Sequence, residues 1–381
     1  MPLDALGTAY GPCLSVDLQA LAHNWQIVRA ACPDSSVGAV LKNDAYGLGV
    51  ALVAPRLWRL GCRDFWVSSL DEGLALQACL PVDAVDARQQ GLRVWVLNGL
   101  GGGQAQDFAP HGLLPALTGA HELAALCRQP LPGDRRLPVA VHLDTGLTRV
   151  GFDSAGWAQL GADSALWRAA QPRLWLTHLG RFHDPEAPQC QQQRQRFVQW
   201  TARLPAAARS IATSSSVFAG QKWHFEHVRV GSALWGVPTS ERIQVPLRPV
   251  ARLHAPVLRV ADVAAGTEVG YAGGYIAPRD CRIATVAMGY GDGLPFSLAN
   301  RGTMVLAGRS APIVGGVAMG MVALDVSDYA PGQVQPGMWA EVYGTQQPLT
   351  QLAAAAEVPP NVLLTLSARL APQRRAVDGA S

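Results

Sequence analysis

A lysine closes the first strongly apolar run of the chain, VGAVLK (37–42), and Asn43, Asp44, Ala45, Tyr46, Gly47, Leu48 and Gly49 follow it. Later runs end in comparable polar groups. His142, Asp144, Thr145 and Gly146 precede Arg149; Thr177, His178 and Arg181 form a second set; Thr213, Ser214 and Ser215 a third; Arg229, Gly231 and Ser232 a fourth. One lysine, a cluster of hydroxyls, glycine-adjacent backbone amides and arginines suit an anionic phosphate ligand. The lysine amine adds the capacity to form a Schiff base with a carbonyl. Pyridoxal phosphate combines the two requirements, an aldehyde for the lysine and a phosphate for the amides. Taken singly, each residue also has an ordinary structural use: Ser214 as a helix cap, His178 as a hydrogen-bonded core histidine, an arginine as a solvated strand-end charge. Their joint position at the ends of successive runs favours a site.

The elements that must position them alternate. From about residue 36 to 230, short β-branched apolar runs are separated by segments of helical periodicity, the pattern of β/α units around a parallel sheet. The runs are VGAVLK (37–42), FWVSSL (65–70), LRVWVL (92–97), LLPALT (113–118), PVAVHLD (138–144), LWLTHL (174–179), RSIATS (209–214) and HVRVG (227–231). Helical candidates between them include Val50–Leu60, Ala120–Arg128, Ser154–Leu166 and Gln191–Leu204. Eight such units predict a closed (β/α)8 TIM-like barrel, with functional residues at the C-terminal strand ends. After about residue 240 helical periodicity fades and short strands punctuated by Gly and Pro take over. The expected architecture is α/β: a barrel over 14–240, then a mostly antiparallel β domain over 241–381, with residues 1–13 packing against the latter. The short alanine run at 353–356 suggests no element, and the tail from Arg375 to Ser381 is expected to fray.

Composition narrows the function classes. The chain of 381 residues is 49% hydrophobic and 15% charged, enough apolar material for a large core. Its net charge of +3 is scattered, which argues against nucleic acid as a partner. No stretch approaches the roughly 18 uncharged apolar residues of a membrane span, and the N-terminus lacks the pattern of a signal peptide. A cytoplasmic protein is expected. The seven cysteines are widely spaced without C-x-x-C or zinc-type spacing, so they read as buried or incidental thiols, and no metal site is predicted.

Six segments then carry a resemblance: VGAVLKNDAYGLG (37–49), HLDTGLTRVGF (142–152), RVGSALWG (229–236), EVGYAGGY (268–275), GYGDG (289–293) and APIVGGVAMGM (311–321). In order and spacing they resemble the signature segments of alanine racemases, over nearly the whole chain from about Leu14 to Arg374. The resemblance implies a barrel plus a β domain in a homodimer whose active sites are completed by the partner subunit. It implies an isomerase dependent on pyridoxal 5'-phosphate and acting on a small amino acid, alanine by default, with D-amino acid supply as its role. Lys42 would hold the cofactor and act as base on one face of the substrate, and Tyr271 would be the opposing base, donated by the other subunit. His178 and Arg229 match the residues linked to that tyrosine. Arg229 would also face the pyridine nitrogen and keep it unprotonated, which argues against decarboxylation. Tyr46, Ser214, Gly231 and Ser232 resemble phosphate-binding positions, and Arg149 the residue near the cofactor's phenolic oxygen and the substrate carboxylate. Met319 would offer its backbone amide to that carboxylate, and Tyr290 would line the entrance.

Departures from the pattern cluster near the substrate. Gly320 stands where the family has aspartate, Asn361 aligns near a late tyrosine, and His142 replaces a lysine that supports Arg149. Asn43, Leu48 and Trp235 replace the commoner Ala, His and Tyr. A wider, more hydrogen-bonding mouth suits a larger or more polar substrate, so racemisation of serine, broad specificity, or epimerisation of a modified amino acid in a biosynthetic pathway stands beside the alanine reading. A pyridoxal phosphate carrier without turnover is a third reading; the presence of both Lys42 and Tyr271 counts against it, because a carrier needs only the lysine.

Overall fold

The structure, a computed structural model, describes residues 11–377 except Asp134, 162–166, Arg168, Phe182, Thr239, 241–243 and Ala272. Eight parallel strands form the first sheet: β2 (Ser36–Val40), β3 (Asp64–Val67), β4 (Arg93–Val96), β5 (Leu113–Leu117), β6 (Leu137–His142), β7 (Ala170–Leu176), β8 (Ala208–Ser210) and β9 (His227–Val230). They pair in the order β8 through β2 and then β9. The backbone N–H of Arg229 donates to Ala212 O at 3.0 Å, just beyond β8, and closes the barrel. Each of the eight runs read from the sequence overlaps one of these strands, because strands buried on both faces read as continuous apolar runs.

Helices cover the barrel. Val50–Arg59, Ala120–Arg128 and Pro188–Thr201 overlap the expected ones, while Ser154–Ala158 is shorter than expected and residues 162–166 of that segment lie outside the described residues. Inside the barrel, Trp66, Trp95, Ala116, Ala140, Leu174 and Leu176 form a buried cluster. Below it, at the strands' N-terminal ends, the inward positions are polar. Asp64 accepts from Arg93 Nε (2.6 Å), Arg93 Nη2 (2.5 Å) and Trp95 Nε1 (2.9 Å). Trp66 Nε1 donates to His227 Nε2 (3.1 Å), so that nitrogen is the acceptor and the other carries the proton toward Ser36 Oγ (2.7 Å).

The second sheet is built on β10 (Ala251–Val263), whose later half pairs antiparallel with β11 (Cys281–Val286) and whose earlier half pairs with β15 (Trp339–Tyr343). β14 (Val322–Asp325), β13 (Arg309–Val314) and β12 (Thr303–Leu306) complete the ring between β11 and β15. The expected antiparallel β domain is therefore present, curled around one long strand.

Three expectations need correction. Residues 14–17, counted with the barrel above, belong to β1 (Cys13–Asp17), which pairs antiparallel with β10, Cys13 opposite His254. The chain enters the barrel only after Asp17, whose carboxylate caps the helix Leu18–Ala31. Of residues 1–13, residues 1–10 lie outside the described residues. The tail does not fray at Arg375: β16 (Arg374–Val377) runs parallel to β1, and Arg374 Nη1 meets Asp44 Oδ2 at 2.6 Å. Helices also return near the C-terminus, at Leu349–Ala355 and Pro360–Leu366, the first containing most of the alanine run. No disulfide joins any of the described cysteines.

Candidate active site

Lys42 follows β2 directly and opens an unusual turn. Asn43, Asp44, Ala45 and Tyr46 have φ of 53°, 52°, 55° and 58°, one turn of left-handed helix. Such a conformation is unfavourable by about 1–2 kcal/mol per L-residue, so the surroundings must impose it. Asn43 N–H donates to Glu72 Oε1 (2.8 Å), Val50 N–H donates to Asp44 Oδ1 (2.7 Å), Arg374 holds the other Asp44 oxygen, and Ala45 is fully buried. The turn throws Lys42 over the barrel mouth and brings the Tyr46 ring against Trp235, centroids 5.7 Å apart. Burial lowers the proton affinity of the Lys42 amine, Arg149 and Arg229 lower it further, and Glu72 opposes them.

Arg229, on β9, is 5% exposed. Its Nε donates to Ser210 Oγ (3.0 Å), its Nη2 to Thr177 O (2.5 Å), and the guanidinium lies over the Trp66 ring at 5.6 Å. These partners are neutral, and among the described residues no carboxylate pairs with it. Burial, with Arg149 second, brings its pKa down to about 9, still protonated at neutral pH. Arg149 itself is exposed, on a loop organised by Asp144 Oδ1, which accepts from the backbone N–H of Gly146, Leu147 and Thr148 at 3.0 Å each.

A second cluster sits beside the turn. Ser214 Oγ accepts from Gly231 N–H (3.0 Å) and Ala233 N–H (3.2 Å), and Asn361 Nδ2 donates to Ser232 Oγ (2.8 Å). A Cβ on Gly231 would collide with the Tyr46 hydroxyl, so glycine is what lets backbone and phenol converge. Burial pushes the Tyr46 phenol up to about 12 and keeps it a hydrogen-bond donor.

Both rim histidines are held neutral. Burial, with Arg229 and Arg149 next, brings His142 down to about 3, and the same causes hold His178 well below the ordinary histidine value. On the barrel floor burial brings His227 to about 4. An unfolded histidine takes up its proton near 6.5, so below that pH the unfolded chain binds more protons and stability present above 6.5 is lost as pH falls toward 4. The urea midpoint is expected to fall between pH 7 and pH 5, each buried histidine contributing up to about 1.4 kcal/mol per pH unit. A midpoint flat over that interval would contradict this burial.

The structure thus brings together Lys42, Tyr46, His142, Arg149, His178, Ser214, Arg229, Gly231, Ser232 and Asn361. Tyr271, Met319, Gly320 and Tyr290 lie elsewhere, on the β domain. Tyr271 is 77% exposed and Met319 66%. Tyr290 N–H donates to Ala318 O (3.0 Å) and Gly291 N–H to Met319 O (2.8 Å), which joins those two loops. Asn300 ties the Tyr271 loop to the Met319 loop, its Nδ2 donating to Gly274 O (2.8 Å) and its Oδ1 accepting from Gly315 N–H (2.7 Å). Glu72, Ser210 and Trp66 were not singled out in the sequence. Ser210 and Trp66 lie inside apolar runs and Glu72 in the first turn of the helix Leu70–Cys79, where spacing gives no signal.

The mouth can hold an anionic cofactor. Lys42, Arg149 and Arg229 give it positive charge in excess of Glu72, and the Tyr46, Ser214, Gly231 and Ser232 cluster offers donors of the type a phosphate requires. These residues fit pyridoxal phosphate.

Comparison with known proteins agrees with that chemistry. The family profile "Alanine racemase, N-terminal domain" matches residues 16–239, and "Alanine racemase, C-terminal domain" matches 250–374. The chain is similar to the alanine racemase of Rhodospirillum rubrum, 36% identical over 358 residues and covering 93% of this chain and 94% of that one. It is similar to that of Acidiphilium cryptum, 38% identical over 345 residues, covering 91% and 93%. Its fold resembles the crystal structure of alanine racemase from Bartonella henselae with covalently bound pyridoxal phosphate, with a TM-score of 0.89 at 29% identity, covering 97% of this chain and all of that one.

Proposed function

The chain belongs to the alanine racemase family of pyridoxal-phosphate-dependent isomerases, and from that premise we propose that it interconverts L- and D-alanine with two opposed bases, Lys42 and Tyr271. The observation that best supports this reading is the rim itself: Lys42 stands beside Arg229, a buried guanidinium without a carboxylate partner. When bound, pyridoxal phosphate supplies an electron sink that makes the substrate's Cα proton removable.

Inversion at Cα requires a proton to leave one face and another to arrive on the opposite face. Lys42 serves one face. Its lowered proton affinity favours the free amine, the form that accepts a proton. The Tyr271 phenol serves the other, reaching the mouth from the partner subunit. Its exposure within one chain, together with that of Met319, Phe296 and Ile276 on the same domain, suits a surface covered in a homodimer. Arg229 remains charged and would donate to the pyridine nitrogen, which keeps that nitrogen unprotonated and limits side reactions. His178, held neutral, serves as a connector between Arg229 and the partner's phenol. Tyr46, Ser214, Gly231 and Ser232 would hold the phosphate, and Arg149 and the Met319 amide the substrate carboxylate. The absence of a helix long and apolar enough to cross a membrane among the described residues fits a cytoplasmic setting.

A second reading, a more polar substrate such as serine, is favoured by one observation. Asn361 Oδ1 is buried without a hydrogen-bond partner, an acceptor that a substrate hydroxyl would satisfy. Around Gly320 a Cβ would meet open space, so aspartate fits there without displacing anything. Gly320→Asp together with Asn361→Tyr is expected to raise the ratio of kcat/KM for alanine over serine by about tenfold, roughly the 1–3 kcal/mol that one satisfied buried polar group is worth. An unchanged ratio would mean that these positions do not set specificity.

A further inference from the structure

A cavity of about 480 Å³ lies at the N-terminal ends of the barrel strands, the end opposite Lys42. Barrel interiors are ordinarily filled by branched aliphatic side chains, and this end departs from that rule. Ser36, Asp64, Arg93 and His227, each the first residue of its strand, stand where an aliphatic layer would be. Their network is self-satisfied: Asp64 is saturated by Arg93 and Trp95, and His227 is spent on Trp66 and Ser36.

Two further guanidiniums line the same cavity, and neither pairs with a carboxylate among the described residues. Arg88 donates only to a backbone carbonyl, His111 O at 3.0 Å. Gly112 leaves room for it, because a Cβ there would meet the Arg88 side chain. Arg173 sits in a β-bulge: Val139 opposes Pro172 while Ala140 opposes Leu174, so Arg173 is the extra residue. Bulges re-aim side chains, and this one sets a cation at the rim of the cavity instead of in the ladder. Behind the cations the wall is apolar, formed by Trp95, Leu114 and Leu174.

We propose that this end of the barrel is a second binding site, for an organic anion whose carboxylate or phosphate head meets Arg88 and Arg173 and whose aromatic or aliphatic body lies against Trp95, Leu114 and Leu174. The site is separate from the racemisation rim, with the stacked Trp66 and Trp95 rings, centroids 5.2 Å apart, between the two. Increasing salt weakens binding there, because the rim arginines are solvent-facing.

The test is fluorine NMR titration of the cofactor-loaded protein, with saturating racemic alanine present to occupy the other mouth. The probes are 4-fluorobenzoate, 4-fluorophenyl phosphate and the neutral 4-fluorobenzamide. One anion or both should bind while the amide does not, the comparison of the two anions telling carboxylate from phosphate. Arg88→Ala/Arg173→Ala should weaken that binding by about tenfold or more and leave racemisation unchanged; the single reversal Arg173→Glu should act in the same direction. Failure of both anions to bind, or binding that the double variant leaves intact, would overturn the proposal.

Discussion

Lys42→Ala is expected to give a folded protein without the visible absorbance of lysine-bound pyridoxal phosphate and without measurable racemisation. The folded state should survive because the left-handed turn that follows is held by other residues: Glu72 on the Asn43 amide, Arg374 on Asp44, and the buried Ala45 methyl. The amine is lost twice over, as cofactor anchor and as base on one face. Exogenous methylamine replaces neither fully, since positioning a reactant accounts for a large part of catalysis. Absorbance spectra of the purified variant check the first half and a chiral assay the second. A retained cofactor band would mean that another residue carries the group.

Tyr271→Phe is expected to keep the cofactor band and lose racemisation by about 10²–10⁴-fold, the usual contribution of a positioned acid or base. Its exposure in one chain means that the loss should come without a loss of stability. A test of shared sites follows. Mixing inactive Lys42→Ala with inactive Tyr271→Phe should restore about a quarter of wild-type activity, because each mixed dimer of a two-fold assembly regains one intact site. No recovery on mixing, with dimers shown to exchange, would place Tyr271 outside a site shared between subunits.

Much of the barrel was legible because parallel strands are buried on both faces and leave unbroken apolar runs. The rim was legible for the same reason: polar residues that end such runs stand out. What lay outside the sequence's reach has physical causes. The turn at 43–46 includes Ala45 and Tyr46, residues with no preference for positive φ, and bonds from Glu72, Arg374 and Val50, with the burial of Ala45, impose it. Five residues, CLSVD, give no sign that their partner strand begins more than two hundred residues later, so β1 was counted with the wrong sheet. The helix at Pro360–Leu366 is short and brings Asn361 to Ser232 by tertiary packing alone. On the barrel floor Asp64 stood just before an apolar run and Arg93 and His227 within two others, and the alternation that turns them inward appears only once neighbouring strands are paired.

The most direct measurement is chiral chromatography of the cofactor-loaded protein incubated separately with L-alanine, L-serine, L-lysine and L-arginine. The account predicts that L-alanine is converted fastest and proceeds to an equal mixture of enantiomers. Faster conversion of one of the other amino acids would contradict alanine as the substrate, and no D-enantiomer from any of the four would contradict the two-base racemisation assigned to Lys42 and Tyr271.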